Sequence, residues 1–305
     1  MAEACDDGRG PLGSWAHISP PLRALDFTFS VRCNNAALGR RLDQAFRHFA
    51  ADDPADHTYF LVQRRPPGRS QVWLDDELLL ETTAPDIPAP WLLGHVNRQV
   101  VERSSSRYLI LHAAAAARDG RAVVLPAPME SGKSTLVAGL IAAGSDYLTD
   151  EAAAIEIVTG RLRAFPKALS LSPAARQAVR AAAGRSDAFD MPDDPTWPVD
   201  PDDIRGGSVV DSASVGWVVF PCYTPGTPTL LEPLSPPAAV VAMADNAFNF
   251  TRHGHRALSL LAGIAQAAHC SRLRVGDLRG ACALILDAMA ASGEGNRGGT
   301  IPAVP

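Results

Sequence analysis

Between Arg121 and Ile141 the sequence does three things in succession. An apolar run, Ala122 to Leu125, has the length of a buried strand. It breaks at Pro126-Ala-Pro128 and passes into Ser131-Gly132-Lys133-Ser134-Thr135. Leu136, Val137, Leu140 and Ile141 then recur at helical spacing, with Gly144 as the stop signal. Strand, tight turn, Gly-Lys-Ser and helix make a phosphate-binding loop of the Walker A kind. A helix N-terminus offers unpaired N–H groups to an anion, and Lys133 adds a positive charge. The Ser134 hydroxyl is placed to ligate a magnesium ion. Nucleotide binding is therefore expected at Glu130, Ser131, Gly132, Lys133, Ser134 and Thr135. Three positions depart from the usual pattern: Ala127 stands where a glycine opens it, and Met129 and Glu130 where small residues are commoner. A carboxylate at 130 repels a phosphate unless it points away or meets a metal.

A chain of 305 residues has room for one large domain or for two, and two are expected. With 47% hydrophobic and 20% charged residues it suits a packed globular protein, and a net charge of −5 offers no footprint for nucleic acid. Cys5, Cys33, Cys222, Cys270 and Cys282 are odd in number and form no Cys-x-x-Cys pair. Free thiols in a reducing compartment fit them better than disulfides or zinc. No apolar run approaches the ~20 residues of a membrane span, and Glu3, Asp6 and Asp7 do not suit a signal peptide. The expected location is cytoplasmic, with no membrane partner; homo-oligomerisation is left open.

Residues 1–20 read as a flexible arm and 292–305 as a disordered tail. Residues 21–105 read as a small α+β domain: a strand over Asp26 to Val31, a helix face at Leu38, Leu42, Ala45, Phe46 and Phe49, strands at Tyr59 to Val62 and Val72 to Leu74 about the turn Arg65 to Gly68, and a helix from Trp91. Residues 106–291 carry the phosphate loop. Tyr108 to His112 reads as a strand ending in an imidazole, next to the loop strand. Tyr147 to Glu151 is a short strand ending in two acids, and Ala154 to Phe165 a hairpin, extended by Leu169 to Leu171. Ser172 to Ala183, Ala238 to Phe250, His255 to Ala268 and Leu278 to Ala290 read as helices; Val215 to Phe220 and Leu273 to Val275 read as strands. The polar stretch 184–207 reads as a mobile lid or peptide-contact segment, or else as a plain surface loop.

A nucleotide site needs a carboxylate to hold magnesium opposite Ser134, and transfer to a hydroxyl profits from a second as base. Asp150 and Glu151 end the next strand and suit both tasks, although adjacent strand residues face opposite ways unless the chain bends. Lys167 either reaches a phosphate or is solvated. His112 alone signals little, and His253 and His255 read as surface residues.

Leu111-His112, the loop at Gly132 to Thr135 and Leu148-Thr-Asp150-Glu151 stand in an order and spacing that resembles the HPr kinase/phosphorylase fold, which shares its nucleotide site with phosphoenolpyruvate carboxykinases. Thr-Asp-Glu-Ala152, Gly160-Arg-Leu-Arg-Ala-Phe-Pro166, Val-Val-Phe-Pro-Cys-Tyr223, Leu-Glu-Pro-Leu234 and Asn246-Ala-Phe-Asn249 look closest to the HPr-kinase-related group, whose members include kinases of ribosomally made peptides such as lasso-peptide precursors. The resemblance covers about residues 107–287 and more vaguely the first part. It implies an α/β phosphate-loop kinase domain using ATP or GTP and Mg2+, acting on a serine of a peptide or small protein. It further implies Lys133 on the β- and γ-phosphates, Ser134 and Glu151 at the metal, Asp150 as the base, and His112 near the transferred phosphate. Met129 and Glu130 replace the parent family's Ser and Gly. The parent's long signature after the hairpin is missing, so HPr is not the expected substrate. Two other readings stay open: a nucleotide-binding module that delivers a peptide without phosphorylating it, and a small-molecule kinase.

Overall fold

The computed structural model describes residues 13–64, 68–183, 191, 194 and 196–291. It is mixed α/β and divides into two compact units, Met1–Arg103 and Ser104–Pro305. The expected tail at 292–305 and residues 1–12 of the expected arm lie outside the described residues, as do 65–67 of the expected turn.

In the first unit, strands β1 (His17–Ile18), β2 (Leu22–Ala24), β3 (Phe27–Cys33), β4 (His57–Gln63), β5 (Ser70–Leu74) and β6 (Glu77–Thr82) form one sheet of order β1-β3-β4-β5-β6, with β2 also on β3. Helix α1 (Ala36–Phe46) joins the parallel pair β3 and β4 and is capped by the Asn35 side chain. Phe27, Phe29, Tyr59 and Phe60 are fully buried. Helix α2 (Pro88–Ser104) follows. Strand β6 was not expected, because its Leu78-Leu-Leu80 run lacks the apolar–polar alternation that marks a half-buried strand.

The second unit holds an eight-stranded sheet. Its strands are β7 (Tyr108–Arg118), β8 (Arg121–Pro126), β9 (Asp146–Thr149), β10 (Ala152–Glu156), β11 (Arg161–Arg163), β12 (Ser212–Tyr223), β13 (Leu230–Pro233) and β14 (His269–Val275). Their order is β11-β10-β7-β8-β12-β14-β13, with β9 on β7. Strands β8, β12 and β14 run parallel, so their carboxyl ends share one edge. Helices α3 (Lys133–Ala142), α4 (Pro173–Ala183) and α9 (Leu278–Ala291) pack on one face, with Val123, Leu125, Leu140 and Ile285 in the core between. Helices α6 (Pro236–Asp245) and α8 (His255–Ala267) cover the other, over Ala122, Val124, Leu261 and Ile264. The short helices α5 (Pro201–Ile204) and α7 (Phe250–His253) complete the unit. Among the described residues no helix is long and apolar enough to cross a membrane.

Four expectations need correction. The strand at Tyr108 does not end at His112 but runs on through the five alanines to Arg118. Alanine is a weak strand former, but here Ala114 and Ala116 face one helical layer and Ala113, Ala115 and Ala117 the other, so burial on both faces overrides propensity. The helix expected over Ala238 to Phe250 stops at Asp245, where the Asn246 side chain bonds back to the Ala242 carbonyl. Leu169 to Leu171 do not extend the hairpin; Leu169 pairs instead with Val199. The stretch 184–207 is not all loop: α5 lies within it, capped by Asp200, while 184–190, 192–193 and 195 lie outside the described residues.

Candidate functional site

Strand β8 delivers the chain to the sheet edge, and the loop Ala127 to Gly132 turns it into α3. Glu130 (φ +60) and Gly132 (φ +86) both take left-handed backbone about Ser131. Alternation of this kind turns successive N–H groups toward one anion. The Lys133 amine is buried and donates to the carbonyls of Ala127 at 2.8 Å and Pro128 at 2.6 Å, clasping the start of the loop to the start of the helix. Burial pushes its pKa down; Asp150 and then Glu151 pull against that.

Ser134 Oγ donates to Asp150 Oδ2 at 2.9 Å. Asp150 follows β9 and Glu151 precedes β10, so both lie in a bend. Thr149 Oγ1 makes that bend by accepting from the N–H groups of Glu151 (3.3 Å) and Ala152 (3.2 Å). The bend removes the strand alternation that would have separated the two acids, and both reach Lys167. Lys167 Nζ lies 2.8 Å from Asp150 Oδ1 and 3.2 Å from Glu151 Oε2. Lys167 is not solvated: it is buried, ion-paired with both acids and lines the same cavity as the loop. Burial works to lower its pKa, yet the two carboxylates outweigh burial and hold it above the ordinary lysine value. Asp150 Oδ1 also accepts from the Tyr147 hydroxyl at 3.1 Å, a proton shared with the Lys167 carbonyl at 2.8 Å. Burial, then the Asp150 charge, pushes the Tyr147 phenol well above its usual range, so it stays a donor. The two acids differ in exposure: the Asp150 side chain is 2% exposed and that of Glu151 46%.

His112 sits where β7 changes partner, opposite Ala152 on β10, with Ala113 opposite Pro126 on β8. Its imidazole lies against Phe248, and its pKa is lowered by burial and then by Lys133, against a smaller pull from Glu151. His253 is not a plain surface residue; its Nε2 lies 2.8 Å from the Ser105 carbonyl.

A cavity of about 490 Å³ is lined by His112, the loop from Met129 to Thr135, Asp150, Glu151, Lys167, Ser170, Ser172 and Ala175. Every residue singled out in the sequence for phosphate, metal or proton chemistry thus faces one space. Tyr147 and Thr149 were missed as site residues, since each reads simply as part of a strand. Ser134 and Asp150 present hard oxygen atoms side by side, as a magnesium ion needs, and leave room for the waters it keeps. Lys167 supplies a further positive charge, so the residues fit one divalent ion.

No protein family's profile matches the chain, and no curated protein matches it. Among solved structures it is similar to the Hpr(Ser) kinase/phosphatase from Coxiella burnetii, at 13% identity over 61% of this chain and 99% of that one, with a TM-score of 0.32. At that level the likeness is coarse, and the site is read from its own residues.

Proposed function

We propose that the second unit is a magnesium-dependent phosphotransferase that moves the γ-phosphoryl group of ATP or GTP to a hydroxyl, a serine of a peptide or small protein. The observation that carries the reading is the 2.9 Å bond from Ser134 to Asp150, directly beside a lysine that opens a helix. Residues of these types meet at that spacing where a metal-bound triphosphate is held.

The geometry also favours one division of labour between the acids. Asp150 touches Ser134 and already receives three donors, which suits a metal ligand. Glu151 is half in solvent, which suits the group that takes the acceptor's proton. The acceptor oxygen forms its bond to the γ-phosphorus as the bond to the leaving diphosphate oxygen breaks, and the proton passes to Glu151. Lys133 and the loop N–H groups offset the charge that gathers on the leaving diphosphate. Magnesium, when bound at Ser134 and Asp150, would neutralise phosphate charge and align the transfer. Neutral His112 would offer one ring N–H as a hydrogen-bond donor to a group beside the phosphate.

The test uses radiolabelled ATP, serine-containing peptides and two variants. Glu151→Gln should lower turnover by ~10²–10⁴-fold at unchanged nucleotide affinity. Asp150→Asn should instead weaken magnesium dependence. The opposite assignment, base at Asp150 and metal at Glu151, predicts the reverse. Failure of the wild type to bind nucleotide with magnesium would end the reading. A second reading, a nucleotide-dependent peptide-delivery module, is favoured by Glu130 lining the cavity; label that stays wholly on nucleotide would support it.

A further inference from the structure

The phosphate loop has a second cavity on its other side. About 340 Å³ in volume, it opens where β8, β12 and β14 end together, and Pro126, Ala127 and Pro128 form its wall toward the loop. Carboxyl ends of parallel strands are where such sheets receive ligands. Ala127 and Pro128 are the residues whose carbonyls hold Lys133, so the loop is a partition between two spaces.

Two guanidiniums, from Arg272 and Arg274, line this cavity. They stand two apart on β14, so they share a face; Phe220 and Cys222 of β12 are their register partners on one side, and Glu232 and Leu230 of β13 on the other. Neither guanidinium has an ion-pair or hydrogen-bond partner among the described residues. By contrast, three other arginines of this unit are engaged: Arg107 with Glu156, Arg205 with Asp146 and Arg176 with the Trp197 carbonyl. Neighbouring unpaired guanidiniums repel each other, and a planar anion that both can grip removes that repulsion.

We infer that this cavity binds a carboxylate of the phosphoryl acceptor, an inference that rests on the kinase reading above. Charge selects the ligand: two guanidiniums against the single Glu232 leave one net positive charge, which suits a monoanion better than a doubly charged phosphate. Chemistry selects the reactant. The donor's anionic part belongs in the phosphate loop and its nucleoside is uncharged, so the acceptor is the reactant left to bring an anion. Its position across a partition formed by the loop's first residues places such a contact near the transfer site without competing for it.

The experiment measures anisotropy of fluorescent serine-centred peptide pools on the full chain, with and without magnesium and a non-hydrolysable ATP analogue. One pool carries Glu near the serine and an amidated end; a second carries Gln and an amidated end; a third carries Gln and a free end. At least one carboxylate-bearing pool should bind ~10-fold more tightly than the neutral one, as charge-assisted bidentate bonds would give. Which pool does so separates a side-chain carboxylate from a chain end. R272Q/R274Q should abolish the preference at unchanged affinity for the analogue, and R272K/R274K should keep part of it, because charge survives and the fork does not. Equal binding of all three pools overturns the inference. So does an R272Q/R274Q variant that loses the analogue but keeps the preference, which would make the cavity a nucleoside site. Loss of analogue binding by the wild type counts against the kinase reading alone, since the pools are also compared without nucleotide.

Discussion

Lys167 Nζ and Asp150 Oδ1 lie 2.8 Å apart, with side chains only 7% and 2% exposed. An ion pair so deeply placed gives up hydration on both sides, and attraction in the interior roughly offsets that loss. Such a pair is poor evidence for stability. Here it sits at the wall of a polar cavity, against the hydroxyl groups of Ser134 and Tyr147. Its effect is to fix the Asp150 carboxylate and to leave a cation permanently between two acids.

Lys167→Met should therefore cost stability and raise metal affinity together. A buried carboxylate stripped of its partner costs ~3–5 kcal/mol, moderated here by the two remaining hydroxyl donors. Asp150 and Glu151, no longer shared with an ammonium, should take magnesium more tightly. Thermal melts with and without Mg2+ check this: the metal-induced rise in Tm should be larger in the variant than in the wild type. An equal or smaller rise would mean that Lys167 does not compete with a metal.

His112 makes a pH prediction with a definite sign. Burial and Lys133 hold its pKa below the ordinary 6.5, so between the folded value and 6.5 the unfolded chain binds more protons than the folded one. Stability from this residue is then complete above about pH 6.5 and is lost as pH falls through the window beneath it. His112→Gln removes that slope. Urea midpoints of both proteins from pH 7.5 to 5.5 should converge toward the acid side, with the wild type losing more. Parallel curves would show that the imidazole titrates as it does in the unfolded chain.

The local part of this structure was legible in the sequence, and so was most of the set of residues that lines the cavity; the contacts that bring them together were not. Strand β8, the loop and α3 announce themselves because an apolar run, a Gly-Lys-Ser-Thr turn and helical spacing follow one another within a few residues. Strand β7 was half read, because nothing in a run of alanines says strand until helical layers cover both of its faces. The pairing of Asp150 with Glu151 in one cavity hangs on a single hydroxyl, Thr149 Oγ1, which gathers two backbone N–H groups and bends the chain. Tyr147, hidden inside a strand pattern, gave no sign of reaching the same carboxylate. The face of β14 that carries Arg272 and Arg274 depends on its pairing with β12 and β13, which are far away in sequence.

Glu130 is exposed, lines the cavity at the start of α3 and holds a left-handed φ of +60. Its carboxylate would oppose a polyphosphate bound there, and unit charges near a protein surface interact by up to ~4 kcal/mol at 4 Å. Glu130→Gln keeps the shape and removes the charge, so it should tighten magnesium–ATP binding by roughly 5-fold or more, an effect that shrinks as salt rises. Glu130→Gly should do the same without loss of stability, since glycine adopts that φ freely. Calorimetric titration at two salt concentrations reads both. Weaker binding by either variant would mean that Glu130 aids the ligand, for instance through the metal.

The proposed function gives Lys133 a second task beside its loop contacts, and a substitution should separate the two. With Ala127 and Pro128 carbonyls as its partners, the amine holds the loop closed; in the proposed reading it would also be the charge nearest the phosphates. Lys133→Met leaves two carbonyls without their donor, at ~1–3 kcal/mol, and removes hydrogen bonds to a charged ligand worth ~1.5–3 kcal/mol. The first effect lowers Tm in the absence of nucleotide. The second raises Kd for magnesium–ATP by ~10- to 100-fold, beyond what the looser loop alone would do. Adenosine, which offers no phosphate, distinguishes the two: its weak binding should change little between wild type and variant. If magnesium–ATP bound the variant as tightly as the wild type, the turn before α3 would be a structural cap, and the phosphate site would have to be sought elsewhere.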